Sequence, residues 1–410
     1  MSVIEDARSQ QDELRRFRRE LHGEPELGLE LPRTQERVLA ELDGLALETT
    51  LGREVSSIGA VLRGGAGAGT PADRRPTVLL RADMDALPVQ EETGVDYSSR
   101  VAGTMHACGH DLHTAMLVGA ARILDDRRDR LPGDVVLMFQ PGEEGYDGAA
   151  YMVREGILDL AGRRVDAAYG LHVMSAMMPP ALFASRPGPL MSASDVLHVT
   201  VHGAGGHGSA PHRAKDPVVV AAEITTALQT VVTRHFDMFD PVVVTVGRLV
   251  AGTKANVIPA SAEIEATVRS FSTENQERLR EDLPRLVTGI ARAHGLDAEV
   301  EYQFQYPLTI NDRAETDFLA RTTTELFGEQ RFVPMVNPVA GSEDFSRVLD
   351  EVPGAFAFLS AVGPGVDPAT AAYNHSPFAT FDDQVLVDGA ALYAQLAIDR
   401  LESLSTQEKQ

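Results

Sequence analysis

Cysteine is nearly missing from this chain of 410 residues, and tryptophan is missing altogether. A single cysteine, Cys108, cannot form an internal disulfide, so its thiol must be a small buried hydrophobe, a nucleophile or a metal ligand. Without tryptophan, any aromatic lining of a pocket falls to phenylalanine and tyrosine. Positive charge is scarce too: 37 Lys and Arg against 60 Asp and Glu leave a net charge of −23. That balance argues against nucleic acid or an anionic membrane as partner, since both demand a basic surface. No segment approaches the roughly 18 apolar residues of a membrane span. The stretch Met1 to Gly28 is charged and helix-like, with Arg15, Arg16, Arg18, Arg19 and Glu20, and lacks the apolar core of a secretion signal. A cytoplasmic location is the expectation.

The chain is longer than one hydrophobic core usually fills, so two domains are expected. Several short apolar runs end in polar residues capable of chemistry. Thr77-Val78-Leu79-Leu80 runs into Arg81-Ala82-Asp83-Met84-Asp85, Asp134 to Phe139 into Gln140-Pro141-Gly142-Glu143-Glu144-Gly145, and Ala167 to Leu171 into His172. Continuous apolar runs suit strands buried on both faces, and helical spacing such as that of Leu112 to Leu124 lies between them. This predicts an α/β fold: a mixed, largely parallel sheet with helices on both faces and the site at the carboxyl ends of its strands. After about Gly188 the pattern changes to strand, helix, two strands, helix, which reads as a smaller α+β domain interrupting the larger one. The boundaries this suggests are 1–188 and 302–410 for the larger domain and 189–301 for the insert.

Cys108 sits in Met105-His106-Ala107-Cys108-Gly109-His110-Asp111-Leu112-His113. A thiolate and an imidazole one residue apart, ahead of a helix, can face one metal ion or bridge a pair. The same residues also fit a buried structural cysteine beside a helix capped by Asp111. The adjacent carboxylates Glu143 and Glu144, in a turn, could divide into a metal ligand and a group that polarises water, or form an acidic surface turn. His172 and His375 (in Asn374-His375-Ser376-Pro377) are further candidate ligands. Asp83 and Asp85, two apart, share a face if the strand is regular, and could support ligand histidines or cap a loop.

In order along the chain, these motifs resemble the di-metal amidohydrolases related to aminoacylase and carboxypeptidase. The similarity is to the branch of hippurate hydrolase, N-acyl-amino-acid amidohydrolases and auxin-conjugate hydrolases. It runs from Arg18-Arg19-Glu20-Leu21-His22 and Pro25-Glu26-Leu27-Gly28, through Arg81 to Pro88, Gly206-His207, Asn256-Val257-Ile258-Pro259 and Gly341-Ser342-Glu343-Asp344-Phe345, to Asn374-His375-Ser376-Pro377. It implies two divalent metal ions (zinc, manganese, cobalt or nickel) on Cys108, His110, Glu144, His172 and His375. Glu143 would be the general base and Asp85 would orient a ligand imidazole. Related branches carry a ligand histidine where Asp83 stands here, which leaves the role of Asp83 open. The insert would be a lid that also builds a homodimer by edge-to-edge strand pairing. Its His207 would steady an oxyanion, and Asn256 and Arg269 would contact substrate, Arg269 gripping a carboxylate.

The expected activity is therefore metal-dependent hydrolysis of the amide bond of N-acyl amino acids or similar small amide conjugates. A metal lowers the pKa of its bound water from about 16 towards about 7, and the amine leaves only once protonated. Two other classes compete. Cys108 could be a nucleophile with a histidine base, or the fold could be a non-catalytic binder of small molecules.

Overall fold

The computed structural model describes residues 2–407, which form two compact units. The first comprises Met1–Leu190, Ile310–Asn337 and Asp344–Gln410; the second comprises Met191–Thr309 and Pro338–Glu343.

The strands of the first unit are β1 (Leu47–Leu51), β2 (Ile58–Leu62), β3 (Thr77–Asp83), β4 (Asp134–Gln140), β5 (Ala167–Met174) and β6 (Phe183–Ser185). The chain then passes through β7 (Gly188–Met191) into the second unit, with β8 (Ala193–His202), β9 (Gly206–His207), β10 (Val242–Ala251), β11 (Val257–Ile258), β12 (Ser261–Ser270) and β13 (Asp297–Tyr306). It returns through β14 (Thr309–Asn311) to β15 (Phe332–Pro334) and β16 (Gly354–Ser360). The helices are α1 (Val3–Ser9), α2 (Gln11–Gly23), α3 (Pro32–Leu42), α4 (His110–Asp125), α5 (Gly148–Arg154), α6 (Pro217–His235), α7 (Thr273–Ala293), α8 (Arg313–Phe327), α9 (Ser346–Leu349) and α10 (Val385–Gln407).

The sheet of the first unit has the order β1-β2-β4-β3-β5-β16-β6-β15. Its middle strands β4, β3, β5 and β16 are parallel, while β1, β2 and β6 supply antiparallel neighbours. Every residue of β2, β3, β4, β5 and β16 is buried, although successive side chains point to opposite faces. Both faces are therefore covered, as continuous apolar strands demand. Parallel register brings the strand ends to one edge: Asp83 pairs with Gln140, and His172 follows two residues after Gly170, the partner of Arg81. β5 runs on to Met174, so His172 is a strand residue rather than the first residue after a strand.

The second unit carries a four-stranded antiparallel sheet of order β10-β12-β8-β13. Leu197, Val199 and Val201 of β8 alternate inward with Ile264, Ala266 and Val268 of β12, and pack with α6 and α7 in one core. The pattern of strand, helix, two strands, helix is completed by β13, whose ten residues continue past position 301 and belong wholly to this unit.

Asp111 does not cap α4. The cap is Gly109, at φ +83, and Asp111 lies inside the first turn with its carboxylate on Arg18 Nε (2.7 Å) and His22 Nδ1 (2.8 Å). A Cβ on Gly109 would stand 2.3 Å from Val173 Cγ2 and force a left-handed conformation on a side-chain-bearing residue. Gly109→Ala is expected to cost about 1–3 kcal/mol of stability, read as a lowered urea midpoint with unchanged slope. An unchanged midpoint would contradict this packing.

Candidate metal centre

Five side chains meet at the carboxyl edge of the first unit's sheet, from positions far apart in sequence. Cys108 comes from the loop before α4, His110 from its first residue, Glu144 from the turn after β4, His172 from β5 and His375 from the loop before α10. Cys108 Sγ lies 3.3 Å from His172 Nε2 and 3.2 Å from His375 Nε2. His375 Nε2 is 3.2 Å from Glu144 Oε1, and His110 Nε2 is 4.0 Å from the same oxygen. Ligand atoms of Cys108, His110 and His172, of Cys108, Glu144 and His375, and of His110, Glu143 and Glu144 each fall within 4.8 Å of one another. The sulfur, imidazole and carboxylate donors thus form overlapping sets, which suits a pair of ions better than one.

The loops that carry these groups are held from behind. Asp85 accepts the backbone N–H groups of Glu143 (2.9 Å) and Glu144 (3.0 Å), so one buried carboxylate fixes the turn bearing both glutamates. Its Oδ1 also lies 3.6 Å from His110 Nδ1, too far for a strong hydrogen bond. Asn374 accepts from Ser175 N–H (2.9 Å) and donates to the carbonyls of Val173 (3.0 Å) and Cys108 (3.3 Å). His375 sits at φ +73, unusual for a residue with a Cβ, and its N–H donates to Ala107 O at 2.8 Å. That strained position aims a C-terminal imidazole at the cysteine loop.

The residues fit a cation. Both ring nitrogens of His110 are buried without a well-formed hydrogen bond, and Glu144 Oε1 is buried with only the His375 imidazole at 3.2 Å, a costly arrangement unless a metal takes the lone pairs. The electrostatics agree. Burial disfavours charge on His110, yet Asp83, Asp85 and Cys108 raise its pKa well above the ordinary value. Contacts with Cys108 and then Glu144 lift His375 to about 10. Burial opposes ionisation of Glu144, but His375 and His110 hold its pKa low. At His110 and His375 the surrounding anions favour positive charge, whereas burial and then His113 hold His172 well below the ordinary value, as suits a neutral ligand ring. Burial and the charge of Glu144 push the Cys108 thiol up, and the residue is only 7% exposed, with three side chains around its Sγ, a poor setting for a metal-free nucleophile.

The insert residues belong to the second unit. His207, on β9, pairs with Val257 on β11, and its Nδ1 accepts the backbone N–H of Ser209 at 3.1 Å. A backbone N–H can only donate, so the proton of this ring is on Nε2, which leaves a free donor. Asn256 precedes β11 and receives Gly208 N–H on its carbonyl (2.9 Å). Arg269, on β12, donates to Ser342 Oγ at 3.1 Å; burial lowers its pKa, opposed by Asp195.

Sequence reasoning passed over His113 and Asn374. Both lie inside motifs it had singled out, but each relies on backbone groups, Val173 N–H for His113 and Ser175 N–H with the carbonyls of Val173 and Cys108 for Asn374, which carry no sequence signal.

Residues 79–399 match the model of Peptidase family M20/M25/M40. Thermostable carboxypeptidase 2 of Saccharolobus solfataricus is 36% identical over 399 residues, covering 96% of either chain. IAA-amino acid hydrolase ILR1-like 2 of Arabidopsis thaliana is 39% identical over 94% of this chain and 84% of its own. The hippurate hydrolase of Campylobacter jejuni is 33% identical over 98% of this chain and 100% of its own. Among solved structures, the YXEP protein of Bacillus subtilis, described as a dinuclear metal binding peptidase from the M20 family, superposes with a TM-score of 0.81 at 31% identity, covering 97% of this chain and 99% of that one.

Cys108→Ala removes the sulfur that two of the ligand sets share. It is expected to reduce bound zinc at fixed free zinc, measured by elemental analysis after equilibrium dialysis. Metal content equal to wild type would remove Cys108 from the ligand set.

Proposed function

The chain belongs to peptidase family M20/M25/M40, and from that membership we propose that it hydrolyses the amide bond of N-acyl amino acids or similar small conjugates, releasing a carboxylic acid and an amino acid. The observation that carries this reading is the buried His110 ring, with neither nitrogen in a well-formed hydrogen bond, beside Cys108, Glu144, His172 and His375, with Glu143 next to Glu144 in sequence. Those five side chains hold two divalent ions, and zinc, manganese, cobalt and nickel all suit the donor set. When bound, the ions supply Lewis acidity and a lowered water pKa.

The chain's own residues do the rest. Glu143, 6% exposed and anchored through its N–H by Asp85, accepts the proton of the attacking water and returns it to the leaving nitrogen. His207, a donor at Nε2, steadies the developing oxyanion. Arg269 grips the α-carboxylate of the amino acid, and Asn256 contacts the substrate beside it. We place the enzyme in the cytoplasm, where a lone reduced thiol persists. Among the described residues no helix is long and apolar enough to cross a membrane.

The second unit is proposed as lid and dimer contact. β10 is an outer strand of its sheet, ten residues long, with Val243, Leu249 and Val250 between 39% and 46% exposed. Such an edge invites pairing with a second copy. Leu249→Lys together with Val250→Lys is expected to shift the protein towards monomer in light scattering. A wild type already monomeric at working concentration would rule the contact out.

Glu143→Ala is expected to lower kcat by about 10²–10⁴-fold while metal content stays at the wild-type level. Turnover would be assayed on N-acetyl, N-benzoyl and N-succinyl amino acids with several divalent metals. Activity that survives exhaustive chelation, or an active Glu143→Ala protein, would overturn the mechanism.

A further inference from the structure

We propose that Asp83 is a positioning residue and not a metal ligand: with Arg81 and His113 it fixes the tautomer and placement of the histidines at the metal centre. The inference rests on the metal-centre reading above.

Each oxygen of Asp83 already accepts a short hydrogen bond. Oδ2 accepts from Arg81 Nη1 at 2.7 Å, and Oδ1 accepts from His113 Nδ1 at 2.5 Å. His113 Nε2 in turn accepts the backbone N–H of Val173 at 2.8 Å. Because that N–H can only donate, His113 is a neutral ring with its proton on Nδ1, and neither nitrogen is left for a metal. Asp83, His110 and His113 also offer ligand atoms within 4.8 Å of one another, but filling that set would break two of these bonds.

The chain of contacts continues to a ligand. The carbonyl of Val173 accepts from His172 Nδ1 at 2.8 Å, which leaves the lone pair of His172 on Nε2, the atom facing Cys108 Sγ. The His113 ring meets the His172 ring edge-on at 4.9 Å and stacks on His110 at 5.4 Å. Asp83 therefore acts on His172 through His113 and the backbone of Val173, and on His110 through ring stacking. His110 Nε2 stays 3.6 Å from Asp83 Oδ2, so its lone pair is not spent there.

The far end is equally fixed. Arg81 is fully buried and donates Nε to Gln140 Oε1 (2.9 Å) and Nη2 to Asp344 Oδ1 (2.9 Å). Gln140 Nε2 reaches both oxygens of Asp344 at 2.7 Å, and Asp344 also accepts Ala149 N–H at 2.9 Å. A carboxylate held by such a scaffold orients its neighbours; it is not poised to swing onto a metal.

The test uses the full-length protein and zinc. Asp83→Asn keeps the shape, but an amide cannot accept from Arg81 and His113 with both arms, so its nitrogen must face a donor. The expected protein still takes up two equivalents of zinc at saturation. Its zinc affinity, measured by competition with a chromophoric chelator, is about 10–100-fold weaker, and kcat falls with little change in KM. Nitrogen NMR of labelled histidine should show His113 protonated on Nδ1 in the wild type and shifted towards Nε2 in the variant. His113→Gln leaves the Arg81–Asp83 pair intact and carries the test should Asp83→Asn not fold; it should weaken zinc similarly. The double variant should be no worse than the poorer single one, since both act through one path.

A saturation stoichiometry that drops from two to one in Asp83→Asn makes Asp83 a ligand and overturns the inference. So does wild-type zinc affinity in both variants, or additive losses in the double variant. A wild type that takes up no zinc, manganese, cobalt or nickel overturns the metal centre itself, and this inference with it.

Discussion

The architecture of the sheet's carboxyl edge depends on burying negative charge without stranding it. Asp83, Asp85, Asp111 and Asp344 are each no more than 1% exposed, and an unpaired carboxylate at such depth would cost several kcal/mol. Each is answered by donors from another part of the chain. Asp85 takes two peptide N–H groups from the turn after β4, Asp111 takes Arg18 and His22 of α2, and Asp344 takes Arg81, Gln140 and a peptide of α5. Because most of these donors lie on a different element from the acceptor, with Arg81 beside Asp83 on β3 the exception, neutralising the charge also fixes the loops relative to one another. Electrostatic necessity becomes mechanical precision.

A division of labour follows among the positive groups. Arg18 and Arg81 are permanent charges, fully enclosed, and they balance the carboxylates that face away from the chemistry. Burial works against charge on Arg18, yet Asp111 and Asp383 keep it protonated. The groups facing the reaction are histidines, a thiol and two glutamates, whose charge can change. The rigid half of the network thus rests chiefly on two permanent guanidinium charges, and the variable half is left to metal and substrate.

The sequence disclosed much of this, unevenly. Buried parallel strands announce themselves as apolar runs, so β3, β4 and β5 and the polar residues at their ends were legible. The ordered motifs around Cys108, Glu143, His172 and His375 carried the family resemblance, and with it the ligand set proposed here. The role of Asp83 was not legible, because it depends on a backbone N–H of Val173 that any residue would provide. Asp111 reads as a cap because Asp often is one; the left-handed Gly109 took that place and freed the carboxylate for Arg18. β13 was divided at position 301 because its outward residues are polar and it follows a helix directly, so no apolar run marks it.

His375 has a further consequence, one of timing. Its imidazole meets a sulfur 267 residues earlier in the chain, and the whole second unit is made in between. During synthesis Cys108, His110, Glu144 and His172 are all exposed to cellular metals long before the last proposed ligand exists. The early ligands belong to an edge whose neighbouring strand β16 and covering helix α10 also arrive last. A nascent chain therefore has a defective, open ligand set for most of its synthesis. Full ligation, and with it protection of the thiol from oxidation, comes only once the C-terminal segment of the first unit has been made and has joined its sheet.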